Sequence, residues 1–136
     1  YHVLEHVHLL RKTVKKIIKH LKSKGYIIIA VPNPDSHDAI KYKEHWAGWD
    51  VPRHLYHFNH KSIEYFSDLF ELQLISQMPM PFDSYYVSLL SEGYRNPKQS
   101  IISKYWKAII SGKKSNRSAS KTVGNYSSNL FVFKKK

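Results

Sequence analysis

The residues best equipped for chemistry fall in one short stretch. From Glu44 to Phe58 the chain reads Glu-His-Trp-Ala-Gly-Trp-Asp-Val-Pro-Arg-His-Leu-Tyr-His-Phe, with two Trp, three His, an Arg and an Asp among fifteen residues. Imidazoles titrate near neutral pH and can carry a proton to or from a reacting group. Indole rings can wall a small-molecule pocket in which a few polar groups orient the ligand. The same residues could instead form a packed loop, with Trp46 and Trp49 anchoring the chain and Arg53 paired to Asp50. Composition leaves both readings open.

Nine histidines also raise the question of metal. His2 and His6 are four apart, as ligands on one helix face would be. Val-Leu-Glu lies between them, however, and the His-Glu-x-x-His pattern of zinc proteases is absent. His54, His57 and His60 recur at every third position, but Tyr56 and Phe58 between them read as packing residues. No metal site is expected. The chain has no cysteine, which excludes thiolate zinc sites, disulfide frameworks and cysteine nucleophiles.

Charge is the next informative quantity. The 22 Lys and Arg against 10 Asp and Glu leave a formal net charge of +12. Residues 1–60 carry ten basic and five acidic groups, whereas residues 93–136 carry eleven basic and none acidic. A nucleic acid, an anionic membrane surface or an anionic substrate could each answer such a tail. Lys104, Lys107, Lys113, Lys114, Arg117 and Lys121 are interleaved with Tyr105 and Trp106, which could stack on bases. Those aromatics also fit the apolar stripe of a helix, and no recognised nucleic-acid motif is present, so no nucleic-acid partner is expected. A helix here could rest on an anionic membrane surface, or its apolar face could be a lid or a core face.

The elements that must position these residues follow from periodicity. At 136 residues and 42% hydrophobic, the chain is long enough for one domain with a core. It has no apolar run of the roughly 20 residues that span a bilayer, and a cytoplasmic location, with contact to a membrane surface, is expected. Leu10, Val14, Ile17, Ile18 and Leu21 predict an amphipathic helix over 9–24, closed by a left-handed Gly25. Tyr26 to Val31 is a continuous apolar run, as in a strand buried on both faces, and Pro32 and Pro34 end it. Ser36 can cap a short helix through Lys43, leaving 46–52 as an aromatic loop. Asn59 reads as the cap of a helix over 60–70 with Ile63, Phe66, Leu69 and Phe70 on its buried stripe. A strand over 72–78 follows, then two helices within 83–111 broken at 93–97. Residues 111–125 read as a mobile Ser/Lys-rich loop, and 130–133 as a last strand.

Helix, glycine turn and buried strand make half of a βαβ unit. The chain also opens in mid-pattern, at Tyr1-His2-Val3-Leu4-Glu5-His6, without an initiator Met. A longer parent protein is expected, with a strand just before Tyr1.

These residues resemble a known family. Val3-Leu4-Glu5-His6-Val7, the helix ending Leu21-Lys22-Ser23-Lys24-Gly25, and Tyr26 to Pro34 are similar to the second half of class I S-adenosylmethionine-dependent methyltransferases. The segment Trp46 to Phe58 resembles one bacterial branch related to the quinone-pathway O-methyltransferases. The resemblance covers residues 1 to about 90 and returns at the final strand. It implies an α/β fold, the C-terminal part of a Rossmann-like sheet with strands 5, 6 and 7 and their flanking helices. Residues 1–82 would run from the end of strand 4 to strand 6, 83–125 would be a helical, basic insertion and 126–136 the final strand.

Two departures bear on function. Ser23-Lys24-Gly25 replaces the usual Pro-Gly-Gly turn, which matters little. More important, strands 1–4 and the glycine-rich loop that cradles the cofactor are absent: the five glycines, at 25, 48, 93, 112 and 124, form no cluster. The resemblance therefore implies the substrate-side half of an enzyme, inactive alone, that transfers a methyl group from S-adenosylmethionine to a small-molecule acceptor. It would place Tyr1 and His2 beside the cofactor, with Trp46, Trp49 and Arg53 at the acceptor and His54 or His57 as base. The missing N-terminal half is the expected partner, and a homodimer through an open sheet edge is an alternative. A free-standing basic module for nucleic acid or anionic membrane is the competing reading of the whole chain.

Overall fold

The structure is a computed structural model that describes residues 1–122 and 124–136. Three strands form one sheet: β1 (Tyr26–Pro32), β2 (Leu72–Pro79) and β3 (Ser128–Lys135). Their order is β1-β3-β2, so the last strand of the chain lies between the first two and runs antiparallel to both. Ile27 faces Phe133 and Ile29 faces Phe131 across one ladder; Leu74 faces Phe133 across the other, with a bulge before Ser76. Alternation sends Phe131 and Phe133 of β3 to the same side of the sheet.

Helices α1 (Leu10–His20) and α3 (His60–Leu69) cover that side. Val14 of α1 and Ile63 and Phe66 of α3 close with Ile27, Ile29, Leu72 and the two β3 phenylalanines into the main core. Phe66 is tilted against Phe70 at 4.8 Å and Phe133 at 5.6 Å, within the range of favourable aromatic packing. The start of α3 is as the sequence predicts. Asn59 accepts a hydrogen bond from Ser62 N, and Ser62 Oγ accepts one from Asn59 N, a reciprocal capping box. Leu69, expected on the buried stripe, is 38% exposed, and Ser67 is buried in its place with its hydroxyl on Leu72 O.

Three local expectations are corrected. The first helix stops at His20, with Leu21 already extended, and Gly25 has no left-handed φ. A Cβ at Gly25 would meet the movable end of Leu21 at 2.7 Å and Lys22 O at 3.1 Å, so the turn is tight there without a left-handed backbone. Strand β1 is not buried on both faces: Tyr26 and Ile28 are half-exposed while Ile27 and Ile29 are buried. Burial on both faces is reached only further along, at Ala30 and Val31, and β1 is an edge strand. Third, the region read as a mobile loop is mostly helix.

That last helix belongs to a hairpin. Helix α2 (His37–Tyr42), capped by Ser36 as expected, is followed after the aromatic segment and α3 by α4 (Asp83–Arg95) and α5 (Ile101–Ala119). Helices α4 and α5 are antiparallel: Tyr85 meets Gly112, and Lys104 meets Gly93. The residues these helices bury are mostly small, Ser84, Ser88 and Ser91 on α4 and Ala108, Ser111, Gly112, Ser115 and Ala119 on α5, and with Gly112 against Tyr85 they let the two helices approach closely. This packing carries α5 nine residues past Ile110, through the stretch that composition marked as a loop. Val123, part of the same loop expectation, lies outside the described residues.

Candidate functional site

The aromatic segment folds as two single helical turns, 43–45 and 47–49, followed by Asp50 in the left-handed region that Asp tolerates better than most residues. Trp46 is its anchor. The indole is 1% exposed and donates Nε1–H to Asp38 Oδ2 at 3.0 Å, and Gly48 lies so close over the ring that no Cβ would fit. Asp38 is itself fully buried and accepts two further bonds, from Ser115 Oγ at 2.7 Å and Ser127 Oγ at 2.6 Å. One carboxylate thus ties α2, the Trp46 turn, α5 and the start of β3 together. Its neighbours are far apart in sequence, and no local signal marked it.

This anchoring aims the next residues at the chain's first turn. Leu55 N and Tyr56 N donate to Glu5 O, and the 4–6 turn is thereby held against the segment. His6 donates Nδ1–H to Arg53 O at 3.0 Å, and His54 donates Nδ1–H to Gly48 O at 2.9 Å. Both tautomers leave Nε2 as the lone-pair nitrogen. The two rings meet edge to face at 4.6 Å. His54 Nε2 stands 4.0 Å from Glu5 Oε1 and 3.8 Å from Asp50 Oδ2.

Glu5, His6 and His54 consequently offer one carboxylate oxygen and two imidazole nitrogens within 4.8 Å of one another. The Glu5 side chain is 1% exposed, and its Oε2 has no hydrogen-bond partner. Backbone carbonyls on the far nitrogens orient both histidines as they do in metal sites, so these donors suit a divalent cation. The sequence spacings paired other residues, His2 with His6 and His54 with His57 and His60. Only the fold brings His6 to His54.

The remaining expected site residues are distributed unevenly. Trp49 is half-buried, bonded through Nε1 to Lys43 O, and packs edge to face on both Trp46 (5.1 Å) and His57 (4.9 Å). Trp46 is a core residue instead of a wall, because its ring is enclosed on all sides. Arg53 grips Asp50 through Nε and Nη2 and points to solvent; its guanidinium is already committed to a carboxylate. His57 lies 6.2 Å from His54, and partial burial, followed by the charge of His54, holds its pKa below the ordinary value.

His2 takes a different part. Its Nδ1 is 3.3 Å from Glu5 Oε1 and its Nε2 is 3.2 Å from Asp83 Oδ2. Hydrogen bonds to Asp83 and then Glu5 outweigh burial and push its pKa up to about 9. Burial by itself would raise Glu5 and Asp83, but the bond from His2 to each carries both below their usual range. His2 also donates its backbone N–H to Ala30 O, so the first residues lie along the outer edge of β1.

Residues 1–77, from Tyr1 into β2, match a family described as a methyltransferase domain. The chain belongs to that family. Methyltransferase membership accounts for the Leu-Glu-His turn and the Trp46–Phe58 segment lying inside one matched span, while α4, α5 and β3 fall beyond it. No curated protein matched the chain. Such domains typically use S-adenosylmethionine, and the residues present do not fit it. The glycines are isolated, Tyr1 is largely exposed, and the His2 imidazole is taken up by two carboxylates. Among the described residues these methyltransferase side chains form no cradle for a nucleoside cofactor.

Proposed function

We propose that this chain is the acceptor side of an S-adenosylmethionine-dependent methyltransferase acting on a small molecule, and that the cofactor cradle is supplied by residues outside these 136. The observation that carries this reading is the family match over residues 1–77, which includes the whole Trp46–Phe58 segment. Two features of the fold support it. The strand order β1-β3-β2, with β3 antiparallel to both neighbours, agrees with reading the three as strands 5, 7 and 6 of the expected sheet. The outer edge of β1 takes a hydrogen bond from His2, as an adjoining strand 4 would give, and an apolar groove of about 310 Å³ runs along it.

Within this reading the residues present orient the acceptor and manage its proton. The half-buried Trp49 and the exposed His57 form the corner against which an acceptor can lie. His57, whose lowered pKa favours the neutral imidazole, is the group able to accept a proton from a hydroxyl. His54 positions the corner through its bond to Gly48 O. Alignment and exclusion of water are what a methyl-transfer site must provide, because the donor is already activated.

The test is calorimetric titration of S-adenosylhomocysteine into this chain and into a longer chain extended upstream from the source gene. Binding to the longer chain alone is expected. Binding to neither overturns the methyltransferase reading of function, and binding to the short chain overturns the placement of the cradle outside it.

A further inference from the structure

Helix α5 is built inside out. Its inward face, against α4, is Ala108, Ser111, Gly112, Ser115 and Ala119, while Ile101, Ile102, Tyr105, Trp106, Ile109 and Ile110 are between 48% and 73% exposed. Small residues line the buried face of the helix, and the large apolar side chains keep about half or more of their surface in solvent. They form a continuous outward face instead of scattered single residues, and a continuous apolar face marks an interaction surface.

Charge identifies what that surface meets. Ile102, Trp106, Ile109, Lys113 and Arg117 succeed one another at steps of four, three, four and four, a single stripe that turns from apolar to basic along the helix. Lys114 flanks it. Neither α5 nor any other residue from 93 to 136 is acidic. A 19-residue helix about 28 Å long, with isoleucines and interfacial Trp and Tyr on one face and cations beside them, has the chemistry of a helix lying in the headgroup region of an anionic bilayer. A nucleic acid would use the cations and the two aromatic rings but leave four isoleucines in water. Among the described residues no helix is long and apolar enough to cross a membrane.

We propose that the outward face of α5 docks this protein on anionic lipid. The inference is independent of where the cofactor binds. Cosedimentation of the chain with phosphatidylcholine vesicles, with and without about 30% phosphatidylglycerol, tests it directly. Binding to the anionic vesicles alone is expected, with a blue shift of tryptophan emission that is lost in Trp106→Phe. High salt, the Lys113→Gln/Lys114→Gln/Arg117→Gln triple variant and the Ile102→Asp/Ile109→Asp double variant should each weaken binding roughly tenfold or more. Every substituted side chain is outward-facing, and thermal melts of both variants confirm that the fold is retained. Equal binding to neutral vesicles, or binding that neither variant weakens, overturns the proposal. So does a failure to bind vesicles accompanied by salt-sensitive binding to duplex DNA, or by self-association that Ile102→Asp/Ile109→Asp abolishes.

Discussion

The imidazole of His2 stands 3.2 Å from Asp83 Oδ2 and so links the first turn of the chain to the start of α4, 81 positions later. The same ring holds Glu5 on its other nitrogen. An ion triad of this kind makes stability depend on pH from both sides. His2 has a folded pKa of about 9 against an ordinary 6.5, so its contribution is complete below about pH 6.5 and is lost as pH rises through 9. Glu5 and Asp83 are held below their usual range, so theirs is complete above the ordinary carboxylate values and fades as pH falls through the lowered ones. Thermal melts from pH 3 to 10 should therefore show a plateau near pH 5–6.5 and a decline toward pH 9. In His2→Gln the alkaline decline should disappear; an unchanged alkaline limb would contradict the triad.

The Glu5–His6–His54 cluster leads to a separate expectation. Zinc or cobalt added to the chain should raise the melting temperature, and cobalt should develop the visible absorption of a low-symmetry site. His54→Ala should abolish both responses. His60→Ala, in which an exposed imidazole outside the cluster is removed, should leave them intact. An equal response in wild type and His54→Ala would mean the cluster serves only as a hydrogen-bonded hinge.

Asp38 is the buried hub, accepting from Trp46, Ser115 and Ser127. Asp38→Ala leaves three buried donors without a partner and should cost about 3 kcal/mol or more, read from urea unfolding midpoints. Glu64→Ala, on the exposed face of α3, should change stability by about 0.5 kcal/mol or less.

Gly112 sits in mid-helix, where alanine would ordinarily gain about 1 kcal/mol. Here the added Cβ would stand 2.6 Å from Tyr85 Cδ1 and 3.0 Å from Tyr85 Cα. Because the Cα belongs to α4, relief requires the hairpin to open. Gly112→Ala should therefore destabilise by about 1–3 kcal/mol in the same assay, a reversal of sign. A gain in stability would show that the hairpin seam is looser than described.

Local chemistry was legible in the sequence wherever one short segment decides the outcome. The Asn59 cap, the Ser36 cap, the strands at Tyr26, Leu72 and Leu130 and the break between α4 and α5 each follow from a few adjacent residues. So does the family, because the Leu-Glu-His turn and the Trp46–Phe58 segment are contiguous motifs. Tertiary structure decided the rest. The insertion of β3 between β1 and β2 and the joining of His6 to His54 and of His2 to Asp83 depend on contacts between residues 48 to 108 positions apart, and Asp38, only eight positions from Trp46, is completed as its buried partner by Ser115 and Ser127 much further along the chain. The Ser/Lys composition of 111–119 suggested a loop because it lacks large apolar residues, yet small residues are what a close helix pair requires. No periodicity within one segment can report which neighbour it packs against, and in α5 that neighbour set both the length of the helix and the direction its large apolar residues face.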